Sequence, residues 1–305
     1  MILYIKNRDI DRAKWDFCIQ QSPNPLVYAM SWYLDIVCSG WAALVEDDYK
    51  LVFPLTWGSK FGISYLYQPM FTQQLGIFSV KSLPPEKVNQ IIQSLPDRYL
   101  LADINLWNDI ELKLSGAKVY ERNNFQLNLD QEYSKIQDGY TSNTQRNIAR
   151  ARNSSLSIQE LESDEPILKL KKENLKVGLK GKHFQKLKNL ISYTREHNYG
   201  KVYGVLDSNS KLLASAFFIS YKNRLIYLLS ASSKKGKETR AMFFLVDEII
   251  RIKSGMNTLL DFEGSEIAGL ARFFSGFGAE NVTYRHLSYN NLPFPLKSIY
   301  KMLRS

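Results

Sequence analysis

The sequence predicts a mixed α/β (α+β) protein of two domains, the second built on a sheet that changes from antiparallel to parallel pairing. Three observations carry this prediction. The chain has 305 residues, 45% of them hydrophobic, which is about two domains at roughly 150 residues each and enough apolar material for two cores. Its first half is rich in short β-prone runs set between turn residues. In its second half, three strands joined by tight turns precede a strand, a helix and another strand, and such a unit closes as a right-handed parallel crossover.

In chain order, residues 41–57 read as two strands joined by a polar turn at 46–49, and 63–67 is a third strand after Gly62. Prolines at 84, 85 and 96 bracket an amphipathic helix with Val88, Ile91 and Ile92 on one face, and 125–129 alternates as a strand. The chain turns polar over 130–140, which sets the expected division into a domain of residues 1–135 and a domain of residues 136–305. A helix capped by a leading Ser, Thr or Asn follows over 141–153, with Arg146 and Arg150 one turn apart. Lysine-rich helical segments at 168–178 and 184–196 are separated by Gly178 and Gly181.

Strands at 201–206, 212–221 and 225–231 then form a meander. A polar loop at 232–240 leads into a helix over 241–253, where Met242, Leu245, Val246 and Ile249 recur at helical spacing, and a strand follows at 258–262. The last elements are a helix over 266–275, with Ile267, Leu270, Ala271 and Phe274 on one face, and a strand over 282–289. The change of sheet pairing after the meander marks the place where a ligand is expected.

Composition narrows the function. No run approaches the ~18 apolar residues of a membrane span, and charge begins at Lys6, too early for a signal peptide. A cytoplasmic protein is expected. Cys18 and Cys38 lie in apolar surroundings without CxxC spacing, and His183, His197 and His286 lack metal-ligand spacing, so no metal is expected. Charge is uneven: 13 Lys and Arg stand against 15 Asp and Glu in residues 1–135, but 27 against 15 in residues 136–305. That excess points to a polyanionic partner for the second half, such as a nucleotide cofactor or a nucleic acid.

Two segments could carry chemistry. The loop SSKKGKETRA places Gly236 and several cations at the start of a helix, where backbone N–H groups and the helix dipole favour phosphate. It is neither a Walker motif nor a dinucleotide fingerprint. In LDFEGSEIAGLARFFSGFGA, a strand ends in Asp261 and Glu263, two positions of one parity, and either carboxylate could serve as a general base.

The stretch from Asp261 through Gly264, Ser265, Gly269 and Phe273 to Phe277, Gly278 and Ala279 resembles the BioF2-like and Fem-like branch of the GNAT acyltransferase superfamily, the N-acyltransferases and peptidoglycan-bridge aminoacyltransferases. Residues 142–151 (SNTQRNIARA) are similar to the basic helix that opens the C-terminal domain in that branch, and 69–76 (PMFTQQLG) to a turn in its N-terminal half. The resemblance implies two side-by-side GNAT-like subdomains, each a mixed, mostly antiparallel sheet flanked by helices. The first is a degenerate copy, and the second holds the donor in a splay between parallel strands at 225–231 and 258–262.

It further implies an N-acyltransferase that moves an acyl group from acetyl-CoA or another acyl-CoA to an amine of a small-molecule or cell-envelope acceptor. Two alternatives accompany it: aminoacyl transfer from aminoacyl-tRNA to a cell-wall precursor, and a catalytically inactive binding protein. On the first reading Glu263 or Asp261 is the base, with Tyr227 and Tyr284 as further candidates for a general acid. Ser232, Lys235, Gly236, Lys237, Thr239 and Arg240 hold donor phosphates, and Arg146 and Arg150 hold an anionic acceptor. One departure concerns the donor: the usual CoA pyrophosphate signature sets its glycines close together, whereas Gly236 stands five residues before Ala241.

Overall fold

The computed structural model describes residues 1–110, 116–174, 181–264 and 266–297. Two compact units emerge: Met1–Arg122 with Thr283–Ser305, and Asn123–Val282. Unit 1 opens with β1 (Ile2–Lys6), α1 (Arg12–Gln21), α2 (Ser31–Val37), β2 (Ala42–Glu46), β3 (Leu51–Leu55), β4 (Trp57–Lys60) and β5 (Ile63–Tyr67). It continues through β6 (Phe78–Ser79), α3 (Pro85–Gln93), β7 (Tyr99–Leu106) and β8 (Ala117–Arg122). Unit 2 begins with β9 (Phe125–Asn128), α4 (Tyr133–Asp138), α5 (Ser142–Arg152), β10 (Ser157–Glu160), α6 (Glu165–Asn174) and α7 (Gly181–Glu196). The meander β11 (Gly200–Leu206), β12 (Leu212–Tyr221) and β13 (Arg224–Ser232) follows. After it come α8 (Lys234–Glu238), α9 (Ala241–Lys253), β14 (Leu259–Asp261), α10 (Ala268–Ser275) and β15 (Glu280–Asn281). The chain then returns to unit 1 as β16 (Tyr284–Asn290).

The expected boundary at residue 135 therefore falls inside unit 2. β9 pairs with β14 and β15 of that unit, and β16 pairs with β7 and β8 of unit 1. The alternation that identifies a strand carries no information about its distant partner. The polar stretch read as a junction instead holds α4, whose Tyr133 reaches α9.

Unit 1 is a pair of sheets where one was expected, with strand orders β1-β2-β3-β6 and β4-β5-β7-β16-β8. The chain crosses between them at Thr56, whose hydroxyl donates to the Tyr67 carbonyl at 2.6 Å. α3 stands between its prolines and buries Val88, Ile91 and Ile92, the stripe its spacing prescribes. β5 and β7 form a parallel pair that stays closed beyond the end of β5, because Leu75 bridges to Leu106.

Unit 2 has one seven-stranded sheet, β10-β11-β12-β13-β14-β9-β15. The three strands of the meander are antiparallel, and β13–α9–β14 is the expected parallel crossover. Leu245, Val246, Ile249 and Ile250 of α9 fill the core against Val205, Leu213 and Phe218. Thr141 caps α5, accepting from the Thr144 N–H at 3.3 Å. The fully buried Asp247 of α9 ties that helix to its neighbours, accepting from the Tyr133 hydroxyl at 2.7 Å and from Arg152 at 2.8 Å. Burial raises the pKa of Asp247 above the usual carboxylate range in spite of these partners.

The parallel pairing of β13 and β14 is short. It joins Arg224 to Leu259, Leu225 to Leu260 and Ile226 to Asp261, and there β14 ends while β13 runs on along β12. The register against β12 shifts at this point, with Phe218 opposite Tyr227 and Phe217 opposite Leu229, so Leu228 is the extra residue of a bulge. The two parallel strands part at the position that was expected to hold the ligand.

Candidate active site

A cleft of about 620 Å³ occupies this splay. Its buried floor includes Tyr227, Phe262 and Phe274. The Phe262 and Phe274 rings stack at 5.0 Å, and Tyr227 meets both edge-on at 5.9 and 6.1 Å. Among the described residues, the charged side chains in the lining are Lys171, Lys237, Arg240 and Glu263, three cations to one carboxylate. An aromatic floor with a net positive wall suits a ligand that carries both an apolar part and an anionic part.

The loop expected over 232–240 contains a short helix. Ser233 caps α8, its Oγ accepting the Gly236 N–H at 3.0 Å. That N–H is therefore engaged and does not face a phosphate. Gly236 is required for a packing reason, because a Cβ there would stand 2.1 Å from the Leu213 carbonyl oxygen. Lys235 also turns elsewhere, pairing with Asp207 at 2.6 Å, and Thr239 bonds back to the Lys235 carbonyl at 3.0 Å. Lys235 and the N–H groups of Lys211 and Asn209 hold the Asp207 carboxyl below its ordinary range. Of the six residues expected at the donor, Ser232, Gly236, Lys237 and Arg240 line the cleft, whereas Lys235 and Thr239 are not among its lining residues. Arg240 adopts a left-handed φ of 62° as it opens α9, and its Nε is buried without a hydrogen-bond partner.

The two carboxylates of 261–263 are separated by the end of β14. Asp261 is 1% exposed and accepts from Arg224, from Gln126 Nε2 at 3.2 Å and from the Glu263 N–H at 2.9 Å. It positions the strand end and does not line the cleft. Glu263 does line it. The shared parity fails because strand geometry stops at Asp261 and Glu263 takes a φ of 61°. Its carbonyl accepts from the Phe125 N–H at 3.2 Å, so the backbone at Glu263 is held on both sides. A non-glycine residue in left-handed conformation costs about 1–2 kcal/mol, and such strain recurs where a side chain must be aimed. Ser265 lies outside the described residues.

Tyr227 lines the cleft with its hydroxyl 3.2 Å from Met242 Sδ, and burial raises its pKa. Tyr284 belongs to β16 of unit 1. Arg146 and Arg150 are exposed on α5, outside the cleft lining. The apolar face expected for 266–275 is only partly buried: Phe274 is in the core, whereas Ile267 is 66% and Leu270 45% exposed. Leu270 and Phe273 serve the cleft instead. Lys171 of α6, which sequence reasoning missed, also lines it. One signal for it was present: Lys171 is four residues after Ile167 and three after Leu168, on the stripe those two bury. Among the described residues no cluster of three His, Cys, Asp or Glu could hold a metal ion.

The fold is shared with solved structures that include FemX. The chain is similar to FemX over 97% of its own length and 99% of FemX, with a TM-score of 0.68 at 13% identity. It is also similar to the C-terminal domain of a protein assigned as a lysylphosphatidylglycerol synthetase from Agrobacterium fabrum (TM-score 0.54, 10% identity, 97% and 96% covered). L-PGS from Bacillus licheniformis is a third (TM-score 0.52, 10% identity, 96% of each chain). The sequence matches no family model and no curated protein. No helix among the described residues is long and apolar enough to cross a membrane.

Proposed function

We propose that the protein is an N-acyltransferase that holds an acyl thioester, acyl-CoA, in the cleft of unit 2 and passes the acyl group directly to an amine. The observation that carries this reading is the parting of β13 from β14. Beyond Ile226 one edge of β13 has lost its strand partner, and such an edge can pair with an extended, amide-bearing ligand as it would with a strand. The pantetheine arm of CoA is such a ligand, and Lys237 and Arg240 are the cations suited to its phosphates. Glu263 is the base, because among the described residues it is the carboxylate in the cleft lining. The closed β5–β7 pair agrees with unit 1 being the degenerate copy.

Thermal unfolding with free CoA, acetyl-CoA and longer acyl-CoAs tests the donor. A ligand at about 100 times its Kd adds roughly 2.7 kcal/mol, several degrees in Tm. Changing Lys237 and Arg240 together to Ala is expected to remove the shift, and Lys235→Ala to leave it in place because Lys235 pairs with Asp207. A shift lost equally in both variants would overturn this assignment of the donor residues.

Glu263 has a test of its own. Glu263→Gln is expected to lower turnover by about 10²-fold or more, the usual contribution of a general base. Glu263→Gly, which removes the backbone strain with the carboxylate, should keep stability within about 1 kcal/mol of the parent. Full activity in Glu263→Gln would exclude it as the base.

A second reading, aminoacyl transfer from aminoacyl-tRNA, is favoured by the full-length similarity to FemX and the positive excess of residues 136–305. Absence of any CoA shift, with salt-dependent retention of tRNA on filters, would select it. Absence of both would leave a binding protein without catalysis.

A further inference from the structure

We propose that Lys171 is a nucleophile of the cleft, and that when no amine acceptor is present its Nζ takes an activated acyl group onto itself. The proposal rests on the transferase reading above for its donor, and on the geometry of α6 for its nucleophile. Helix periodicity turns Lys171 inward with Ile167 and Leu168, while Lys169 and Lys172 beside it are exposed. Its Nζ donates to the Ser230 carbonyl at 3.1 Å. Ser230 belongs to the stretch of β13 that lies beyond the pairing with β14, the edge along which a donor would extend.

The chemistry of the amine agrees with that position. Burial lowers the pKa of Lys171, so more of it is neutral than of an exposed lysine. A neutral, desolvated lysine amine is a nucleophile. In the step itself the nitrogen lone pair attacks the thioester carbonyl carbon, a C–N bond forms and the C–S bond breaks. The sulfur leaves as CoA thiolate and takes up the proton the nitrogen loses. The product is an amide, which removes a basic amine from the wall and places an acyl group where the donor would lie. Self-acylation would thus block the cleft.

The test incubates the full chain with acetyl-CoA and no amine at mildly alkaline pH and follows each lysine by peptide mass spectrometry. A parallel series uses N-hydroxysulfosuccinimidyl acetate, a small acylating agent that needs no binding site. Lys171 is expected to acetylate from acetyl-CoA roughly tenfold faster than Lys169 and Lys172, with the advantage lost when Lys237 and Arg240 are Ala. Lys171→Arg should remove that product at an unchanged Tm. If CoA stabilises the protein and Lys171 reacts no faster than Lys169 and Lys172 with either reagent, the nucleophile is refuted and the donor reading survives. If the small reagent singles out Lys171 while acetyl-CoA neither stabilises nor acylates the protein, the nucleophile stands and the thioester donor falls.

Discussion

Gly236→Ala is expected to destabilise unit 2 by roughly 3 kcal/mol or more. Two opposing effects set this value. Alanine is favoured over glycine in a helix by about 1 kcal/mol, and φ at Gly236 is not in the positive range that would strain it. Against that gain stands a Cβ placed 2.1 Å from a backbone oxygen of β12, with the Leu213 carbonyl carbon at 2.8 Å. Neither atom can swing aside as a side chain would, so α8 must lift from the sheet. Lifting it strains the Ser233 cap and the pairing of Lys235 with Asp207. Urea unfolding measures the loss. A variant as stable as the parent would show that α8 does not seat against Leu213, and the placement of Lys237 and Arg240 would fall with it. Gly62→Ala makes a useful contrast, since nothing lies within 4 Å of a Cβ there and its φ of 76° is the sole objection.

The same glycine shows how far the sequence could be read. A glycine among lysines between strand and helix signals a loop and a phosphate site, and both expectations follow from local rules. The tertiary contact with Leu213 is what makes glycine obligatory, and it depends on a strand more than twenty residues earlier in the chain. The meander, the crossover and the helix between prolines were legible because each is written in periodicity and turn residues over a short span. β16 was legible as a strand but not as a member of unit 1, since its partners β7 and β8 lie far away in sequence. Lys171 was hidden in a lysine-rich run that reads as solvated, although its spacing from Ile167 and Leu168 marked the buried side. The acidic pair at 261–263 was read as sharing one side of a strand, and the end of β14 at Asp261 cancels the parity on which that reading rested.

Asp261→Ala is the second large effect, expected at about 3–5 kcal/mol, the range for breaking a buried ion pair by removing one partner. The carboxylate serves three donors, and its loss leaves the Arg224 guanidinium, 15% exposed, without that counter-charge. Asp261→Asn should cost less, because one oxygen remains to accept from the Glu263 N–H. The double change Asp261→Leu with Arg224→Met should recover most of the loss, since replacing a buried pair by apolar groups of similar volume is often neutral. A double-mutant cycle on the parent, Asp261→Leu, Arg224→Met and the double variant gives the coupling directly. These outcomes separate the role given to Asp261 from that of a base. A base would lose turnover in Asp261→Asn with stability intact, whereas a residue that positions the end of β14 loses stability first and affects transfer only through Glu263. Donor binding by folded Asp261→Asn at parental affinity, with a lowered urea midpoint, is the expected pair of results. An unaltered midpoint with abolished turnover would return Asp261 to the chemistry and remove Glu263 from it.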